Sequence, residues 1–218
     1  YFLKNILQNY SKIFCLSKGE TLLYENKISR KVHFLRCPIK VEKKNKTRNK
    51  KFTIAMISYS ITQDLNGIRI LNKFLIPELK KKNLLKKINI FLVMNVFHNN
   101  LPIDIKKIIN DKNIQIKNFD QKNLVDNIDL LYYPSKFQVG VRSKILFCMS
   151  KKILVATNKI SEYGIPELKN NFNCLSSDEN DELVKKIINI INNKKKINYL
   201  KTNAYNLIKK NYLPKKAV

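Results

Sequence analysis

Hydrophobic positions in this chain fall into short continuous runs separated by stretches with helical spacing. Phe52–Ser58 (FTIAMIS) and Ile88–Met94 (INIFLVM) are apolar almost throughout and rich in β-branched residues. Such runs predict strands buried on both faces. Leu130–Tyr133 and Ile153–Ala156 repeat the pattern in shorter form, Ile114–Phe119 alternates, and Asn173–Leu175 predicts a last short strand. Between the strands, Ile68–Lys82 sets Ile68, Ile70, Leu71, Phe74, Leu75 and Leu79 at helical spacing, with Pro77 expected to kink or divide the helix. The polar segment before it, residues 58–67, reads as a loop rich in Ser, Asn and Gly. Ile103–Asn110 and Gln121–Asn127 predict short helices. Ser176 and Glu179 form a capping box that opens a helix with Leu183, Ile187, Ile188 and Ile191 on one face, and Asn198–Tyr212 adds a C-terminal helix. Strands alternating with helices imply parallel βαβ units. About six strands from Phe52 onward imply one Rossmann-like α/β domain, a parallel sheet with flanking helices.

A partial α/β segment precedes that domain. Tyr1–Tyr10 has helical spacing at Phe2, Leu3, Ile6, Leu7 and Tyr10, and Ile13–Leu16 reads as a strand. Ser17 with Glu20 three residues on is a capping box, so a helix carrying Leu22, Leu23 and Tyr24 should begin there. Lys31–Leu35 alternates as a strand. Residues 1–36 therefore read as the remnant of a preceding domain, 37–51 as a basic interdomain linker, and 52–218 as the Rossmann-like domain. The linker contains Pro38 and a cationic run from Lys43 to Lys51, read as solvated, with a lipid- or RNA-binding strip as the sharper alternative. Because the chain starts at Tyr1 within a helical pattern, it is expected to be a fragment.

Charge changes this picture less than its size suggests. The formal net charge is +27, from 43 Lys+Arg against 16 Asp+Glu. The excess is mostly Lys, spread along the chain with abundant Asn and Ile, which is what an A/T-biased coding sequence produces. A nucleic-acid module concentrates Arg and aromatics on one element, so no nucleic-acid partner is expected. A peripheral contact with anionic membrane lipid is a plausible addition. Cys15, Cys37, Cys148 and Cys174 are scattered and the two His stand apart, so the pattern offers no zinc site. Small buried thiols in a reducing compartment are the simpler reading, and the expected location is cytoplasmic, peripheral at most at the inner membrane face.

The stretch from Asp129 to Thr157 carries the candidate chemistry. A strand ends in Pro134-Ser135, a loop with Gly140 follows, and the next helix starts with Arg142 and Lys144. A strand feeding a loop that opens a helix presents backbone N–H groups to an anion. Arg142 and Lys144 add two cations, Gly140 and Val141 supply the helix entry, and Ser135 offers a hydroxyl. Ser58, Ser60 and Asn66 fall in the first β-to-α region, which faces the ligand crevice of such sheets. A solvated helix face explains the two cations equally well, a plain turn explains Gly140, and a helix cap explains Asn66.

Residues 127–165 resemble the nucleotide-sugar-binding half of GT-B glycosyltransferases. The matches are Pro134, Ser135, Gly140, Lys144, Met149, Ala156, Thr157, Glu162 and Gly164. NFNCLSSDENDELVKKIINII (172 is its Phe) is similar to the family's closing strand and helix, LNGIRILNKFLIPELKK to its first helix, and IFCLSKGETLLYENK to the end of its acceptor domain. The resemblance implies the C-terminal half of a GT-B architecture that transfers a sugar from a nucleotide-sugar donor to a glycan or lipid-linked acceptor. It implies no cofactor and no bound metal. It casts Arg142 and Lys144 as the catalytic cations that stabilise the departing diphosphate, with Ser58, Ser60, Asn66, Ile116, Lys117, Ser135, Gly140, Val141, Glu162 and Gly164 at the donor. Most of the acceptor half is expected to lie upstream, so this chain alone should bind donor weakly and transfer little sugar. Where retaining members carry paired glutamates, this chain has Gln138 and Leu146 or Phe147. That departure keeps a degenerate, non-catalytic domain open as an alternative, beside a basic nucleic-acid-binding α/β domain.

Overall fold

A computed structural model describes residues 6–7, 9–41, 51–58, 61–94, 101–118, 124–134 and 140–216, with side chains at 61–63 excepted. Ser60, Ser135, Gln138, most of the basic run, and the first halves of the predicted 1–10 and 121–127 helices lie outside the described residues.

Six parallel strands form one sheet: β3 (Phe52–Ser58), β4 (Ile88–Met94), β5 (Ile114–Lys117), β6 (Leu130–Tyr133), β7 (Leu154–Asn158) and β8 (Leu175–Ser177). Their order is β5-β4-β3-β6-β7-β8. The chain thus winds outward from β3 to one edge, crosses back to β6, and winds outward to the other. The point of reversal lies between the carboxyl ends of β3 and β6, where open α/β sheets bind ligands. A separate pair, β1 (Phe14–Cys15) and β2 (His33–Phe34), is also parallel and is joined by helix α1 (Lys18–Ile28). Ser17 caps α1 as its spacing predicts, its hydroxyl accepting from Glu20 N–H at 3.4 Å.

Alternation along each strand explains the continuous apolar runs. Ile54 and Met56 face one core, Ala55 and Ile57 the other, and both are sealed from water. The first face is covered by α2 (Ile61–Ile70), α3 (Ile76–Lys81), α4 (Ile103–Ile109) and α6 (Asn180–Ile191). The second is covered by α5 (Ser143–Ser150) and the end of α7 (Lys194–Asn211). Cys37, Ile39 and Val41 also pack on this second face, and Ile39 N–H donates to the Tyr212 carbonyl at 2.7 Å. The first residues of the expected linker are therefore docked on the domain, not solvated.

Three expectations need correction. The segment read as a loop is mostly α2, so Asn66 is a helical residue and not part of a β-to-α loop. The buried stripe of α2 runs Asp64, Gly67 and Ile68 and continues into Leu71 of the next turn; a carboxylate and a glycine occupy its first two stations and hide the apolar period. Pro77 divides the helix as expected, through a π turn at Leu71–Leu75 just before it, with Ile76 N–H reaching back to the Leu71 carbonyl. Proline lacks the N–H that would continue the ladder, and the wider turn absorbs the mismatch. Ser176 does not cap α6, because it pairs in β8 opposite Thr157. Glu179 is the N-cap, and Asp181 and Glu182 complement the first-turn dipole instead. Helix α7 begins earlier than predicted, capped by the Asn193 side chain accepting from Lys196 N–H at 2.9 Å.

Candidate active site

Topology puts the starts of α2 and α5 side by side at the reversal point, since α2 leaves the carboxyl end of β3 and α5 that of β6. Asp64 in the first turn of α2 meets Lys144 in the first turn of α5, Oδ2 to Nζ 2.8 Å. Both side chains are largely buried, at 7% and 14% exposure. A cation at a helix N-terminus opposes the dipole, and a buried charge needs a partner. Asp64 offsets both costs and fixes where the ammonium sits.

Tyr133, the last residue of β6, lies beneath the pair of cations. Arg142 Cζ is 5.8 Å and Lys144 Nζ 5.5 Å from its ring centroid. Burial pushes the Tyr133 phenol up, and the neighbouring Arg142 guanidinium acts against it. Arg142, the N-cap of α5, therefore converges with Lys144 on one aromatic platform at the crevice.

The loop that delivers Arg142 is held from behind. Gly140 has φ +51°, a left-handed conformation that glycine adopts without strain. Gly164 lies against it so closely that a Cβ there would come within 2.6 Å of the Gly140 carbonyl oxygen. Gly164 closes a 3₁₀ turn, Lys159–Tyr163, that follows β7. Thr157 anchors this arrangement: its hydroxyl donates to the Tyr133 carbonyl at 2.9 Å and lies 2.7 Å from the Ser161 hydroxyl. Val141 packs against the second core. Ser58 ends β3 at the crevice and is buried.

Other predicted residues fall elsewhere. Ile116 and Lys117 lie on edge strand β5, with β4 and β3 between them and β6, and Lys117 Nζ stands 5.2 Å over the Phe91 ring. Asn66 is half-buried within α2, two residues beyond Asp64. Glu162 lines a cleft on the far side of Gly164, where burial raises its carboxyl and Lys159 opposes the rise. Sequence reasoning missed Asp64 and Tyr133. The Asp64–Lys144 pair joins positions 80 apart in sequence, so no local spacing reveals it. Tyr133 is apolar by pattern and reads only as strand.

Among the described residues no helix is long and apolar enough to cross a membrane, and no group of three His, Cys, Asp or Glu could hold a metal ion.

No family model matches the chain, and no curated protein matches it in sequence. Solved structures do. A Staphylococcus aureus TarM mutant, in complex with fondaparinux, alpha-GlcNAc-glycerol and UDP, aligns over 97% of this chain and 43% of its own, with TM-score 0.76 and 16% identity. Anabaena HepE in complex with UDP-glucose aligns over 96% of this chain and 62% of its own, with TM-score 0.75 and 13% identity. The C-terminal domain of a glycosyl transferase group 1 family protein from Francisella tularensis aligns over 78% of this chain and 96% of its own, with TM-score 0.60 and 16% identity. The chain thus spans about two fifths of TarM and three fifths of HepE. In fold, the described chain is a Rossmann-like half of the GT-B glycosyltransferase architecture, preceded by a short α/β piece.

Proposed function

We propose that this chain holds the nucleotide-sugar donor in a glycosyltransferase that delivers the sugar to a glycan or lipid-linked acceptor on the cytoplasmic side. One observation carries the reading: Arg142 and Lys144 meet over Tyr133 at the reversal point of the sheet, beside the start of α5. In the transfer step the bond from anomeric carbon to phosphate oxygen breaks and its electrons pass to the departing nucleoside diphosphate. The acceptor hydroxyl forms the new bond and releases its proton. Cations and N–H groups aimed at the departing oxygens lower the barrier, each such donor by about 3 kcal/mol. Arg142, Lys144 and the Gly140–Val141 backbone take that role, with Ser58 and Ser135 as hydroxyl donors. The likeness to structures in complex with UDP and with UDP-glucose supports a nucleotide ligand.

In this reading charge neutralisation comes from the two side chains, and no metal takes part. A thermal-shift panel of nucleoside diphosphates, with and without chelator, tests both parts. Stabilisation by at least one diphosphate, unchanged by chelator, is expected. No stabilisation by any member would contradict the donor site, and its loss with chelator would contradict metal independence.

Peripheral contact with anionic lipid is a further part of the proposal. Lys80, Lys82, Lys86, Lys87 and Lys112 are gathered near the amino ends of β4 and β5, opposite the crevice. Salt-sensitive sedimentation with phosphatidylglycerol vesicles is expected, and equal recovery with neutral vesicles would rule it out.

A further inference from the structure

Opposite the crevice, at the amino ends of β4 and β5, a cleft of about 750 Å³ opens between the π turn with α3 and the connection from α4 to β5. This is within the roughly 300–1,000 Å³ range of small-ligand clefts. Three segments bring cations to it: Lys80 from the last turn of α3, Lys86 from the turn before β4, and Lys112 from the turn before β5. All three are exposed, and among the described residues none of their ammonium groups has a carboxylate partner. Glu78 of α3 pairs with Lys81 instead, at 3.8 Å. The carboxylate in the cleft wall, Asp111, is already engaged: its Oδ1 accepts from the Asn113 backbone and side-chain N–H groups at 2.8 and 2.7 Å. The helix ends do not need the cations either. At the end of α3 the N–H groups of Lys82, Asn83 and Leu84 donate to the carbonyls of Glu78, Lys80 and Leu79, and at the end of α4 those of Asn110 and Asp111 donate to the carbonyls of Lys106 and Ile108.

We infer that this cleft binds a phosphate ester, with the phosphate held by Lys80, Lys86 and Lys112. The inference stands apart from the donor reading, and it narrows the lipid contact proposed above from a charged face to one seat. Like charges around a concavity repel each other, and low-dielectric walls concentrate their field on an anion that enters. A phosphate has several acceptor oxygens, enough to meet separate ammonium groups, each a point charge with three donors. A carboxylate is matched better by the planar fork of arginine, and a nucleobase by an aromatic ring; among the described residues neither lines the cleft. Inorganic phosphate alone would fill little of the volume. The organic part of an ester finds apolar contact on Ile76, Pro77 and Leu85, and the amides of Asn72 and Asn83 suit its hydroxyl groups.

Soluble phosphate esters and the headgroup of phosphatidic acid present the same chemistry, so the test has an arm for each. Glycerol 3-phosphate is titrated into the full chain and backbone amide shifts are followed by NMR, with glycerol as the neutral control. Saturable shifts at Asn83, Lys86, Lys112 and Asn113 are expected with the ester and none with glycerol. The double variant Lys86→Gln/Lys112→Gln should bind about tenfold more weakly, the loss of two exposed charge contacts. The double variant Lys106→Gln/Lys107→Gln removes the same charge from α4 outside the cleft and should bind as wild type does. Both should keep the wild-type response of Gly140 and Lys144 to nucleoside diphosphate. Sedimentation with phosphatidic acid vesicles is measured on the same proteins. Recruitment lost in the first double variant and kept in the second supports the cleft as a lipid headgroup seat. Ester shifts without recruitment beyond neutral vesicles support it as a seat for a soluble ester. Equal weakening by the two double variants overturns the cleft and leaves a diffuse lipid contact standing. Absence of both ester shifts and variant-sensitive recruitment also overturns it. Ester shifts in a chain that shows no response to diphosphate support the cleft and overturn the donor reading.

Discussion

The two halves of the sheet are built from different interiors. Around β3, β4 and β5 the core is aliphatic, with Ile54, Leu75, Leu79, Ile90, Leu92 and Ile105 sealed from water. Among the described residues, its buried polar side chains are Thr53, Ser58 and Asp64. Around β6, β7 and β8 the buried set includes Ser150, Thr157, Asn158, Ser161, Asn173, Ser176, Ser177 and Asn180. Most of these bond to loop backbone or to one another. Asn158 Nδ2 reaches the Ser177 carbonyl at 3.3 Å and Asn180 Oδ1 at 3.2 Å, and Asn173 Nδ2 reaches the Glu167 carbonyl at 2.9 Å. Hydrophobic burial is strong and non-directional, whereas hydrogen bonds fix position. Both halves bury apolar side chains, and the second adds a set of directional bonds that fixes the geometry of its loops. Arg142, Gly140, Gly164 and the neighbouring cleft belong to the second half.

Substitutions that separate stability from geometry sharpen this contrast. Leu92→Ala, at a site 1% exposed, should cost about 2–5 kcal/mol in denaturant unfolding. The protein that remains folded should still bind diphosphate with wild-type affinity. Thr157→Val keeps the shape but leaves the Tyr133 carbonyl and the Ser161 hydroxyl without that partner. It should cost about 1–3 kcal/mol and also weaken diphosphate binding. If Leu92→Ala weakens binding in the folded protein and Thr157→Val does not, the division of labour is wrong. Gly164→Ala drives a Cβ into the Gly140 carbonyl oxygen and should cost about 1–3 kcal/mol. Its clearest readout is loss of diphosphate affinity from a displaced Arg142 loop.

Thiol reactivity gives the smallest and most local signal. Burial pushes the Cys174 thiol up to about 12, and Cys15 and Cys37 are raised by partial burial. Thiolate is the reactive form, so at about pH 8 iodoacetamide should label Cys15 and Cys37 well before Cys174. Cys174 sits within the polar half, so its labelling reports local opening there. Peptide mass spectrometry of Thr157→Val should show faster Cys174 labelling than wild type.

The contrast also explains what could be read from sequence. Strands 52–58, 88–94 and 130–133 coincide with their predicted spans because all are buried on both faces, where pattern and structure are the same statement. Legibility fails where polar residues occupy buried stations. Asp64 and Gly67 disguise the first turns of α2, and Ser176 is a strand residue in a position that looks like a helix cap. At the candidate site, Gly140, Arg142, Lys144 and Gly164 were visible as a motif. Their assembly was not, because it depends on Asp64 and Thr157, which the crossover from β3 to β6 and the β6–β7 pairing bring in from other elements.

The account stands on the pair of cations at the reversal point. Isothermal titration of the most stabilising nucleoside diphosphate into wild type, Arg142→Ala and Lys144→Met tests it directly. Each variant should bind about 10–100-fold more weakly, the loss of one charge-assisted hydrogen bond. Arg142→Ala should keep the wild-type unfolding midpoint to within a few degrees, whereas Lys144→Met strands the buried Asp64 carboxylate and should lower it, so its affinity is read at a temperature where the variant is folded. Undiminished affinity in both variants would contradict it.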